Sequence, residues 1–311
     1  MALAVGVDVG GTKIAAALLD EAGTVLQEAV VPTPVQAGVG AVLDQMTALI
    51  QQIADGHTLM GIGIGCPGPV DTASGLSIFS GNLGVGWRNI PVRDEIRQRL
   101  GWTVPVWIQN DVRANALGEL TFGAARGYDQ FVYLAVGTGL GGCAVLNGQV
   151  ISGTAFTAME VGHVTYQPNG RPCAAGVPGC VEMYASGVGM VASLREHLPF
   201  SLGTRLDEHA TTRDILEAVR HDDPLGRRIL HEAADALGTA MAWVGTILNP
   251  PLMVIGGGLG HAAWDVLVAP AVQVMVERTL PEIHTTLKVV PSQVRSTALG
   301  AGALVWHQVA G

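Results

Sequence analysis

The strongest constraint on the fold is a pattern that occurs twice. Near the start, AVGVDV, KIAAALLD and TVLQEAVV read as three strands joined by GGT and EAG. From residue 131, FVYLAVG, GGCAVLNG and QVISG repeat the order of strand, glycine-rich turn, strand, turn, strand. Apolar runs cut by such turns specify β-meanders. Two meanders in one chain imply a duplicated architecture, expected as two lobes around a shared cleft. Between them, residues 39–54 place Val42, Met46, Leu49, Ile50 and Ile53 at helical spacing, and GIGIG then reads as a buried strand. A short helix over 91–100, a strand VPVWIQ and a helix begun by Asp111 continue the alternation of an α/β domain. Residues 182–246 read as mainly helical, LMVIGGG as a strand into a glycine loop, and ALGAGALVWHQVA as a closing helix. The expected division is a smaller N-terminal α/β lobe of residues 1–112, rejoined by the helix 297–311, and a larger lobe of 113–296.

Charge narrows the function classes. The 311 residues carry a net charge of −9, and Lys13 and Lys288 are the only lysines. With no cationic surplus to release counterions, nucleic acid is not an expected partner. The N-terminus lacks a basic region, and Asp8 interrupts its apolar stretch, so no targeting segment is expected and the chain reads as cytoplasmic. Two long uncharged windows, 130–159 and 236–264, are broken by polar residues, Gly or Pro and read as buried core rather than membrane spans. Four cysteines do not make a disulfide framework.

Glycine is abundant, 42 residues against 14% charged. Three glycine loops follow apolar strands: DVGGTK at 8–13, VGTGLGG at 136–142 and IGGGLG at 255–260. Glycine lets main-chain N–H groups approach an anion closely, so such loops suit phosphate, although any one of them also suits a plain hairpin. Residues 137–142 match G-x-G-x-x-G, but strand follows where a dinucleotide fold needs a helix. A Walker A loop would need Gly-Lys-Ser/Thr entering a helix; the order here is Gly-Thr-Lys entering a strand. Half of the glycines, 21 of 42, fall in segments assigned to the cleft, four of them at 61–68.

These segments resemble the ROK family of sugar kinases and sugar-responsive repressors, within the actin and hexokinase superfamily. The resemblance rests on Asp8 to Lys13, GCPGPVD at 65–71, GNL at 81–83, Asn110-Asp111, GTGLGG at 137–142, EVGH at 160–163, Cys173 to Glu182, and GGG at 256–258. It implies a two-lobed actin-like ATPase (ribonuclease H-like) fold and transfer of the γ-phosphoryl group of ATP to a hexose, glucose in the first instance. Asp8 would hold Mg²⁺. Gly10, Gly11, Thr12 and Lys13, with Gly137, Thr138 and Gly139, would face the phosphates, and Gly256, Gly257 and Gly258 the adenosine. Asp111 is the implied general base; read alone, it equally suits the N-cap of the helix that follows. Gly68, Asn82, Asn110, Asp111, Glu160, His163 and Glu182 are the implied sugar contacts.

The family also carries a zinc site built from a histidine of the Glu-x-Gly-His motif and three cysteines. Here His163, Cys173 and Cys180 remain, and Ala175 stands at the middle cysteine's position. A zinc site completed by water or by a neighbouring side chain and a metal-free loop with two thiols both stay open. So do kinases of N-acetylglucosamine or N-acetylmannosamine, polyphosphate as donor, and a non-catalytic sugar sensor. A repressor would need a helix-turn-helix ahead of a loop that starts at residue 8, which weighs against that reading. The resemblance further implies a homodimer.

Overall fold

The computed structural model of the chain describes residues 2–309. Along the chain lie β1 (Leu3–Val9), β2 (Lys13–Asp20), β3 (Val25–Pro32), α1 (Val39–Ala54), β4 (Gly61–Cys66), β5 (Val70–Asp71), β6 (Leu76–Phe79), β7 (Arg88–Ile90), α2 (Val92–Leu100), β8 (Val106–Asn110) and α3 (Asp111–Phe122). Then come β9 (Phe131–Val136), β10 (Leu140–Leu146), β11 (Gln149–Val150), α4 (Glu182–Ala185), α5 (Gly187–His197), α6 (Thr212–Arg220) and α7 (Pro224–Leu248). The chain closes with β12 (Leu252–Gly256), α8 (Gly258–Ala262), α9 (Ala269–Glu277), α10 (Pro281–His284), β13 (Lys288–Pro291) and α11 (Thr297–Val309). Residues 310 and 311 of the expected closing helix lie outside the described residues.

Two compact units result. One comprises the chain up to Asp129, Val145–Ala158 and everything from Gln293; the other comprises Gln130–Ala144 and Met159–Ser292. All of α3 therefore belongs to the first unit, beyond the boundary expected at residue 112. The cause is packing: Gly118 of α3 meets Gly300 and Val294, so closely that a Cβ would lie 2.8 Å from Gly300 Cα.

In the first unit the sheet order is β3-β2-β1-β4-β8. The meander β1-β2-β3 is antiparallel, while β4 runs parallel to both β1 and β8. One face is covered by α1, whose Met46, Leu49, Ile50 and Ile53 are at most 1% exposed. Each such side chain contributes about 1.5–3 kcal/mol of burial. The other face takes α11, and here the glycines of 61–65, read as strand in the sequence but counted among the cleft glycines, serve packing. Gly61 and Gly63 lie inside β4, not in a ligand loop. A Cβ on Gly63 would stand 1.9 Å from Ala301 O, and one on Gly6 of β1 would stand 1.8 Å from Ala298 O. Bare strand backbone is what lets α11 lie so close. A small antiparallel sheet β5-β6-β7, absent from the sequence reading, is locked by the buried Trp87, whose indole N–H donates to Ser77 Oγ at 2.8 Å.

The second unit is built on β10-β9-β12-β13, with β12 parallel to β9 and β13. Strand β10 carries the chain back into the first unit, where Val145 pairs with Val150 of the two-residue β11. Much of the core comes from α7, which the window 236–264 partly covers, packed with Leu134, Met190, Ile215, Met253 and Ile255. Asp223 caps α7 by accepting from the N–H groups of Leu225 and Gly226, and Asn249 ends it in the left-handed conformation at φ 44°. Among the described residues no helix is long and apolar enough to cross a membrane.

Candidate functional site

The parallel strands β1, β4 and β8 end side by side: Asp8 pairs with Gly65, and Cys66 with Asn110. Carboxyl ends of parallel strands are where α/β folds bind ligands, since the following loops diverge there. Asp8 and Asp111 are close enough to repel. Burial foremost, then the Asp111 charge, raises the Asp8 pKa to about 7 against the pull of Lys13. The buried Cys66 thiol is pushed above its usual range by burial and by the same two carboxylates, so it stays protonated.

The helix cap is settled by geometry. Asn110, not Asp111, is the N-cap of α3: its Oδ1 accepts from Arg113 N at 3.1 Å. Asp111 Oδ1 accepts from Val112 N and from Asn110 Nδ2, both at 2.9 Å, and Asn110 Nδ2 also donates to Gly68 O at 3.2 Å. Gly68 has φ 83°, a left-handed conformation that favours glycine, and a Cβ there would meet Phe79 O at 2.1 Å. The first glycine turn is closed by Gly10 N to Lys13 O at 2.9 Å and braced by Thr33 Oγ1 on Gly10 O at 2.6 Å. Gly11 abuts Asn82, so the expected phosphate turn and an expected sugar residue are neighbours. Thr12 and Lys13 are exposed. Thr33 is a bracing residue that the sequence offered no motif to find.

In the second unit the strands β9 and β12 end together, with Gly256 paired to Ala135. This joins the turn Gly137-Thr138-Gly139 to the loop Gly256-Gly257-Gly258. Gly257 has φ 84° and lies on the Val136 backbone. A cavity of about 580 Å³ is lined by Gly137, Thr138 and Gly258 on one side and by Thr212, Arg213, Leu216, Glu217 and Arg220 of α6 on the other. That volume is within the range of small-ligand pockets. The α6 face was missed in the sequence, although Thr211-x-x-Asp214 is a capping box that marks where the helix starts. Glu160 is exposed and His163 half-buried, in the short turn after Met159. Glu182 opens α4, and its Oε2 accepts from Leu140 N at 3.0 Å.

The profile of the ROK family matches residues 4–308. The chain belongs to the ROK family. It is 34% identical to the glucokinase of Thermotoga maritima, covering 99% of this chain and 98% of that one. A ROK family glucokinase from Streptomyces griseus, solved with glucose and AMPPNP, superposes with a TM-score of 0.80 at 30% identity over 97% of this chain and 98% of its own. The xylose repressor of Bacillus subtilis is 26% identical over 97% of this chain and 76% of its own length. The fold is thus the α/β, actin-like ATPase fold of ROK proteins, as the family resemblance implied.

The ROK zinc motif is tested by the donors that the structure gathers. His163, Cys173 and Cys180 bring ligand atoms within 4.8 Å of one another, with Cys173 Sγ 3.6 Å from His163 Nδ1. The loop between the cysteines is turned by Gly176 N on Cys173 O at 2.9 Å and Cys173 N on Val177 O at 3.0 Å. Burial opposes ionisation of Cys173, yet hydrogen bonds from Cys180 and from the N–H groups of Val177 and Ala175 outweigh it and lower its pKa. Cys180, buried beside that thiol, is pushed up to about 11. Two cysteine sulfurs and an imidazole supply three of the four ligands of a structural zinc, and the exposed Ala175 supplies none.

Proposed function

We propose that this ROK protein is an ATP-dependent glucose kinase that transfers the γ-phosphoryl group to a glucose hydroxyl, giving glucose 6-phosphate. The observation that carries the reading is the Asp8/Asp111 pair at the strand ends, in a chain closely similar to glucokinases. Asp111 acts as general base. Asn110 takes over the helix cap and donates to the Asp111 carboxylate, which orients it for accepting the hydroxyl proton. Asp8 would hold Mg²⁺; a carboxylate whose pKa is raised by burial and a like charge fits a cation that neutralises both. When bound, that ion supplies charge neutralisation on the phosphates.

Gly10, Gly11, Thr12 and Lys13, with Gly137, Thr138 and Gly139, cradle the phosphates through main-chain N–H groups. Gly256, Gly257 and Gly258 adjoin the nucleoside, and the α6 cavity receives it. Gly68, Asn82, Asn110 and Asp111 bind the sugar, as do Glu160, His163 and Glu182. His163, Cys173 and Cys180 would hold zinc, and the metal would order the loop ahead of Glu182. The protein acts as a cytoplasmic homodimer, which light scattering on the purified chain tests.

A coupled ADP-release assay across glucose, N-acetylglucosamine and N-acetylmannosamine, with ATP and with polyphosphate, tests the reading. Glucose-dependent ADP release supports it; preference for an N-acetylhexosamine moves the substrate; no sugar-dependent release overturns it. The last outcome would favour a sugar-sensing role, to which the similarity to a xylose repressor points.

A further inference from the structure

The resemblance assigns Glu182 to the sugar, but its carboxylate also lies under the glycine turn after β9. Oε2 accepts from Leu140 N at 3.0 Å; Leu140 is only 3% exposed, and Glu182 is half-buried. The fit above it is tight: a Cβ on Gly139 would lie 2.4 Å from the same oxygen. Gly139 is not left-handed, so the missing side chain reflects the carboxylate's approach and not backbone conformation. The next residues of the segment grip the turn as well. Gly187 N donates to Gly137 O at 2.9 Å and Val188 N to Thr138 O at 3.1 Å. The turn is therefore held by its carbonyls at Gly137 and Thr138 and by its following N–H at Leu140. Of these three bonds only the last comes from a side chain.

We propose that Glu182 is a positioning residue for the nucleotide: it holds the Gly137–Gly139 turn in the shape that receives phosphate, whether or not sugar is present. This rests on the nucleotide-binding reading of the turn. A buried N–H that loses its acceptor finds another by moving the backbone, and the neighbouring N–H groups move with it. Glu182→Gln keeps an acceptor oxygen, whereas Glu182→Leu removes it at similar volume.

The test is ADP binding to the full chain with Mg²⁺ and no sugar, by isothermal titration calorimetry. Glu182→Leu should weaken ADP about tenfold, and Glu182→Gln should stay within about twofold of wild type while still raising the KM for glucose. Gly139→Ala, which leaves Glu182 in place but drives its carboxylate aside, should also weaken ADP. The double variant should then lose little more than either single one, because both break one contact. Unchanged ADP affinity in Glu182→Leu, or full additivity in the double variant, overturns the proposal. Wild type failing to bind ADP overturns the nucleotide reading instead. Should Glu182→Leu not fold, the comparison of Gly139→Ala with wild type decides: unchanged affinity there overturns the proposal.

Discussion

Replacing Asp8 by Asn should make the apoprotein more stable at neutral pH while abolishing turnover. The Asp8 carboxyl has a folded pKa of about 7 against an ordinary value of 3.8. The unfolded chain releases this proton near pH 4 and the folded one only near pH 7. Between those values the folded state binds more protons, so stability falls as pH rises. About three pKa units correspond to roughly 4 kcal/mol lost by pH 8, of which about 2.5 kcal/mol falls between pH 5 and 7.5. Well below pH 4 both states are protonated and the penalty vanishes; above pH 8 it is constant. The Asp8→Asn variant has no proton to release at this position and carries no such dependence. Urea unfolding of both proteins from pH 4.5 to 8.5 without Mg²⁺, followed by circular dichroism, should show the variant gaining on wild type through this window and then running parallel to it. Burial is the larger cause and the Asp111 charge the smaller, so Asp111→Asn should recover only a minor part of the gain. Parallel wild-type and Asp8→Asn profiles across the whole range would refute the account of Asp8 as a buried, charge-crowded carboxylate.

Other expectations follow from the same geometry. Asp111→Asn keeps the size of the side chain but not its basicity, and should lower kcat by about 10²–10⁴ with glucose binding within a few-fold; full-rate turnover removes the base assignment. Ala175→Cys restores a fourth donor beside His163, Cys173 and Cys180 and should tighten zinc about a hundredfold or more in competition with a chromophoric chelator; unchanged affinity would mean that residue 175 does not face the cluster. Gly63→Ala forces a methyl onto the Ala301 carbonyl and should cost about 3 kcal/mol or more, read as a lower urea midpoint; a neutral effect would contradict the close seating of α11.

What the sequence determined by itself was local and periodic. The helix over 39–54, the strand at 61–65 and the two meanders stand where apolar spacing and turn residues place them, because those signals act over one or two turns of chain. Asp111 at a strand-to-helix junction was legible for the same reason. Tertiary structure decided the rest. Asn110 and Asp111 are both good capping residues, and only the folded strand end gave the cap to Asn110. Gly6 and Gly63 were legible as strand residues, yet nothing in their spacing told that they serve a helix more than 230 residues away in the chain that comes to rest on their strands. The raised pKa of Asp8 needs Asp111 and burial, neither of which spacing reports. Glu182 and Leu140 lie 42 residues apart and meet only when α4 folds under the glycine turn. Side chains acting through contacts that distant leave no periodic mark, so their roles appear only once the chain is folded.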